Sequence, residues 1–123
     1  MSEKANQYFN EFQERCKKDP AFMKAFMDQM NVLTPRAPSM TIEELAPYAD
    51  YVTQKMCTED DESFLSFANF NLEHLKTESF YPNVCAMTNV CGVIVEMRKR
   101  NMPISDGLES RVKTLKVVLP QKP

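Results

Sequence analysis

The segment Val84–Met97 constrains the fold more than any other stretch of this chain. It reads Val-Cys-Ala-Met-Thr-Asn-Val-Cys-Gly-Val-Ile-Val-Glu-Met. Wound as a helix, it offers polar side chains only at Thr88, Asn89 and Glu96. A helix that is apolar all round needs burial all round, in protein or in lipid. The run is too short for a membrane span, which takes about 20 apolar residues. The expectation is therefore an all-α protein: a single compact bundle of five to six helices around a buried central helix at about 83–100.

Composition agrees with that expectation. A chain of 123 residues fits one domain, so residues 1–123 are read as a single helical domain. At this size one core suffices without disulfide or metal staples. The chain holds only 2 glycines and 8 prolines. Few glycines and scattered prolines suit helices joined by short stops better than hairpins, whose turns need positive φ. A competing reading makes Val90–Val95 and Thr114–Leu119 strands, because both are rich in β-branched residues. Neither alternates cleanly between apolar and polar, and both lie inside longer helical patterns.

The first helix is expected over Ser2–Lys18, with Ala5, Tyr8, Phe9, Phe12 and Cys16 at helical spacing. Asp19-Pro20 opens a second, as N-cap and first-turn proline, running to about Met30, where Asn31 could close it in a left-handed conformation. A stiff linker follows, Val32–Ser39. Thr41-Ile-Glu-Glu44 matches a capping box, and Leu45, Tyr48, Ala49, Val52 and Met56 line one face beyond it. Pro47 interrupts this segment, by a kink or by starting a new helix. The acidic run Glu59–Glu62 reads as the first turn of a fourth segment, whose apolar face is Phe64, Leu65, Phe67, Ala68, Leu72 and Leu75, with Phe70 off it. Pro82 would open the central helix, and Arg98, Lys99 and Arg100 suit its C-terminal end. The last helix is expected to start at Ser105 or Asp106, where Asp106-Gly-Leu-Glu109 has capping-box spacing, and it carries Leu108, Val112, Leu115 and Leu119.

Signatures of chemistry are scarce, and no cofactor or metal is expected. Gly92 and Gly107 cannot build a phosphate-cradling loop, and Gly92 is expected at a close helix contact. His74 is the sole histidine, so a nucleophilic site would have to use it as base, or else use carboxylates such as Glu73 and Glu78. No identifiable partner accompanies it, so no catalytic residue is assigned. The cysteines Cys16, Cys57, Cys85 and Cys91 lack metal-ligand spacing, and Cys85 and Cys91 point apart on a helix. They read as free thiols, and with a polar N-terminus they place the chain in the cytoplasm or another reducing intracellular compartment. Glu59–Glu62 lacks the alternation and glycine turn of a calcium loop.

Two surfaces remain. The stripe Phe22, Met23, Phe26, Met27 and Met30 is rich in methionine, a flexible side chain favoured on surfaces that accept partners. The end of the chain from Glu96 holds seven cations against three anions, which is +4 and leaves -6 for the rest, given the net charge of -2. Its basic patch comprises Arg98, Lys99, Arg100, Arg111, Lys113 and Lys116. The resulting functional expectation is a small protein–protein interaction module, an adaptor, inhibitor or complex subunit without catalytic activity, whose partner is another protein or a second copy. The alternative is nucleic-acid binding through the basic end. No membrane partner is expected.

Overall fold

The computed structural model describes residues 3–76, 83–104 and 106–117, apart from the side chains of residues 74, 76, 106 and 115–117. Ser2, Glu78, Pro82, Ser105 and Leu119, and the side chains of His74, Asp106, Leu115 and Lys116, lie outside the described residues. Within them the chain is all helix, with no strand. The elements are α1 (Glu3–Lys18), α2 (Pro20–Leu33), a 3-10 turn at Ala37–Ser39, α3 (Ile42–Leu45), a second 3-10 turn at Ala46–Tyr48, α4 (Tyr51–Met56), α5 (Asp61–Lys76), α6 (Val84–Lys99) and α7 (Asp106–Val117). Seven α-helices pack together, where the sequence suggested five to six.

The added count comes from Pro47. The capping box forms as expected: the Thr41 hydroxyl accepts from the Glu44 amide at 3.1 Å, and Glu44 accepts from the Thr41 amide at 3.1 Å. The helix it starts is short. Pro47 brings no N–H and crowds the preceding turn, so the backbone tightens into the second 3-10 turn and then extends at Ala49. Asp50 restarts the helix, accepting from the Thr53 amide at 2.9 Å. Asn89 holds this restart in place: its side-chain oxygen accepts from the Asp50 amide at 2.8 Å, and its amide donates to the Asp50 carboxylate at 3.0 Å.

The end of α2 also departs from expectation. Asn31 stays helical and the helix continues to Leu33. Leu33 is buried, so one further turn places an apolar side chain in the core. The Thr34 amide and hydroxyl then both donate to the Met30 carbonyl, at 3.0 and 2.8 Å, and Pro35 follows. A left-handed closure occurs instead after α6, where Asn101 has φ 57° and the Met102 amide reaches back to the Met97 carbonyl at 2.9 Å.

The helix α6 packs against α2, α3, the second 3-10 turn, α4, α5 and α7. From Val84 to Met97 no residue is exposed, and Met87, Thr88, Cys91, Val93 and Ile94 are fully buried. Its three polar side chains are all partnered. Thr88 donates to the Cys85 carbonyl at 2.8 Å, Asn89 joins Asp50, and Glu96 accepts from Arg100 at 2.8 Å. At Gly92 an added Cβ would lie 3.1 Å from the Ala49 Cβ and 3.4 Å from the Thr53 methyl, so the missing side chain lets the 3-10 turn and α4 approach closely. No described helix is long and apolar enough to cross a membrane.

Candidate docking surface

The stripe of α2 divides into three environments. Met30 is buried, at 5% exposure, and belongs to the core with Leu33. Phe22 and Phe26 are half-buried. Both meet Phe12 of α1 edge to face, with ring centroids 5.9 and 5.8 Å apart. Met23 and Met27 stand in solvent, at 40% and 46% exposure, beside an i,i+4 ion pair of Lys24 with Asp28 at 2.8 Å.

Phe12 links this helix to α4, stacking on Tyr51 at 6.4 Å with the rings 20° from parallel. The three aromatic segments do not close on each other. They leave a cleft of about 250 Å³ whose lining includes Phe12, Phe22, Phe26, Gln29, Pro47 and Tyr48. The extended backbone after Pro47 helps to open this cleft, because a continuous helix through that position would place Tyr48 and Tyr51 on a different path. The Tyr51 hydroxyl donates to Glu11 at 2.9 Å, and the Arg15 guanidinium lies 4.1 Å from the centre of the Phe22 ring.

Sequence reasoning missed Phe12, Tyr48 and Tyr51 as members of a site. Each falls on an amphipathic pattern that reads as core packing. Their convergence depends on the α1–α2 turn at Asp19 and on the break at Pro47, which act together only in three dimensions.

The three arginines of the basic patch are committed to intramolecular bonds. Arg98 pairs with Glu43 at 2.5 Å and Glu109 at 2.6 Å. Arg100 pairs with Glu96 and Asp61, both at 2.8 Å, donates to the carbonyls of Cys57 and Glu59, and lies over the Phe64 ring. Arg111 donates to the Leu75 carbonyl at 3.0 Å. Lys99 and Lys113 are exposed cations of the patch that make no ion pair among the described residues. The acidic run is drawn into the same lattice. Glu59 accepts from the Tyr8 hydroxyl at 2.5 Å, which pushes the Tyr8 pKa up to about 12, and Asp60 accepts from the Ser63 amide at 2.8 Å at the start of α5.

The four cysteines are free. Burial pushes the Cys57 and Cys85 thiols up to about 11, with the Glu96 carboxylate adding to the effect at Cys57 and Asp50 at Cys85. Such thiols are poor nucleophiles at neutral pH. Among the described residues no cluster of three His, Cys, Asp or Glu side chains is arranged to hold a metal ion.

No protein-family model, curated protein or solved structure matches this chain.

Proposed function

We propose that this chain is a non-catalytic helical module that docks on another protein through α2 and the aromatic cleft beside it. In this reading residues 1–123 act as one unit, α6 is the central post, and α1, α2 and α4 present the working surface. A single observation carries the proposal. α2 buries only Met30 and Leu33, while Met23 and Met27 stay in solvent and Phe22 and Phe26 border an open cleft. An amphipathic helix that serves only the core buries its whole stripe. A helix that leaves two methionines and two aromatic walls accessible has the makings of a partner-binding face, where large apolar side chains contribute most of the binding energy. The nucleic-acid reading draws less support, since Arg98, Arg100 and Arg111 are already bonded to carboxylates and carbonyls.

The test is crosslinked affinity capture from the native source with the wild-type chain and a Met23→Asp/Met27→Asp variant. Both side chains are exposed, so the variant should melt within a few degrees of wild type. A specific partner captured by wild type and lost from the variant is the expected result. A partner retained equally by both, at matched melting temperature, would overturn the assignment of this surface. Absence of any specific partner, with a strictly monomeric wild-type chain, would overturn the docking function itself.

A further inference from the structure

We propose that the outward face of α2 pairs antiparallel with the same face of a second copy of this chain, in a two-fold symmetric dimer held by Met23, Met27, Lys24 and Asp28. This inference rests on the docking reading and names its partner. Successive residues of an α-helix turn by about 100°, so these four side chains fall on one side of α2. Phe22 and Phe26 turn toward Phe12 of α1 instead, and Met30 and Leu33 are buried, so neither of those pairs belongs to this face.

The four residues form two interleaved pairs with i,i+4 spacing. Met23 and Met27 are exposed and centred on Ala25. Lys24 and Asp28 are exposed, bonded to each other at 2.8 Å and centred on Phe26. When two helices lie antiparallel about a two-fold axis, residue i of one meets residue j of the other, and j meets i. With the axis between Ala25 and Phe26, Met23 of each copy meets Met27 of the other, and Lys24 of each copy meets Asp28 of the other. The two centres differ by one residue, about 1.5 Å along the helix, which the long rotatable side chains of lysine and methionine absorb. Parallel pairing would set Lys24 against Lys24 and Asp28 against Asp28, so the charges select the antiparallel arrangement.

The same charges favour a second copy over a partner of one sign. Lys24 and Asp28 are the only charged residues of α2, and they sum to zero. An acidic partner would be repelled by Asp28 and a basic one by Lys24, whereas a second copy offers the opposite sign at both positions. Each intramolecular pair contributes little in solvent. The dimer keeps both of these pairs and adds two more between the copies. The methionines supply an apolar contact that adapts to the shape of the facing pair. Four methionines and four charges make a small interface, so the dimer is weak, with a Kd of about 10–100 μM. In an unfolding experiment at about 1 μM the chain is then monomeric and α2 stays uncovered.

The experiment is sedimentation velocity of the full chain over about 1–500 μM, a range that brackets the expected Kd. The wild-type chain should pass from monomer to dimer across it. Met23→Asp/Met27→Asp should weaken the dimer by more than about tenfold. Lys24→Asp and Asp28→Lys should each weaken self-association by about tenfold, because each sets like charges across the axis. An equimolar mixture of those two single variants should regain roughly wild-type dimerisation, since one copy then offers two anions and the other two cations. All the replaced side chains are exposed, so melting temperatures at about 1 μM should stay within a few degrees of wild type. The proposal is overturned if the wild-type chain is still monomeric at about 500 μM, if the methionine variant dimerises as tightly as wild type, or if the mixture regains nothing. A monomeric chain that still captures a native partner through Met23 and Met27 leaves the docking function standing and removes only the second copy as its occupant.

Discussion

The helices α2 and α6 have similar raw material and opposite fates. Both are rich in methionine and aliphatic or aromatic side chains, and both sit behind a side-chain N-cap. No residue of α6 from Val84 to Met97 is exposed, and most are buried, while α2 leaves Met23 and Met27 in solvent and only half-covers Phe22 and Phe26. The difference lies in the neighbours. α6 packs against α2, α3, the second 3-10 turn, α4, α5 and α7, whereas α2 leans mainly on α1, where the Phe12 ring meets Phe22 and Phe26, and buries only Met30 and Leu33. Apolar content thus says that a helix seeks cover, and the rest of the chain decides how much of that cover is supplied internally.

The largest effect that could break this contrast is the truncation of one side chain in each helix. Ile94→Ala in α6 removes a fully buried side chain and should cost about 2–5 kcal/mol in urea unfolding, through lost burial and the cavity left behind. Met27→Ala in α2 should fall within about 0.5 kcal/mol of wild type, since its side chain is 46% exposed. Comparable losses at the two sites would mean that α2 is covered in solution, by a second copy or by another part of the chain.

A finer probe of how tightly α6 is held is Gly92→Ala. Alanine gains about 1 kcal/mol of helix propensity over glycine, but the new methyl would meet the Ala49 Cβ at 3.1 Å. That neighbour is attached directly to the backbone and cannot rotate away. Overpacking of this kind costs about 1–3 kcal/mol, so the net change should be a loss of about 1 kcal/mol. Adding Ala49→Gly should recover part of it, a coupling expected for side chains in contact and readable as a double-mutant cycle. Additive losses would mean that the two backbones are farther apart than described.

Much of this architecture is legible in local sequence, and the illegible parts share a cause. The Asp19-Pro20 start, the Thr41–Glu44 capping box and the all-apolar run around Cys91 depend on residues within a turn or two of each other, so the sequence announces them. Pro47 announces a disturbance but leaves its form open, because a kink and a restart differ only in whether Asp50 finds Asn89, far along the chain. Asn31 reads as a stop, and the burial of Leu33 overrides it. Leu65 matches the apolar face of α5 yet is 37% exposed, since helical spacing cannot show where a neighbouring helix ends. Arg98 and Arg100 read equally well as helix-end charges or as a ligand patch. Glu43, Glu109 and Asp61, which engage them, are contributed by other helices. The cleft itself needs α1, α2 and the broken α3–α4 segment at once.

Alkaline pH offers a milder test of the buried side of the contrast. The Cys85 thiol on α6 and the Cys57 thiol just beyond α4 are pushed from the ordinary 9.0 up to about 11, chiefly by burial. A pKa raised on folding means that the native state holds the proton more tightly than the unfolded chain. The corresponding stability is fully present below about pH 9 and is lost as pH rises toward about 11. Urea midpoints should therefore fall across that window, and Cys57→Ala/Cys85→Ala should flatten the decline. An unchanged slope in the double variant would show that these thiols are accessible to water, which would weaken the view of α6 as covered along its length.

The smallest expected effects separate the two helices at their first turns. Asn83 caps α6 with a bond of 2.8 Å to the Ala86 amide, while Asp19 caps α2 with a longer bond of 3.3 Å to the Phe22 amide. Removal of a side-chain cap costs about 0.5–2 kcal/mol, with weak and exposed caps at the low end. Asn83→Ala should therefore lower global stability by about 1 kcal/mol, because the buried body of α6 unfolds with everything packed on it. Asp19→Ala should cost about 0.5 kcal/mol, and much of that should appear as local fraying. Hydrogen exchange distinguishes the two modes: Asn83→Ala should speed the slowest amides throughout the protein, whereas Asp19→Ala should speed only those in the first turns of α2. If Asp19→Ala instead accelerates the α6 core amides, α2 is cooperative with the core. Its exposed methionines would then sit on a rigid ledge rather than on a helix able to adjust to its partner.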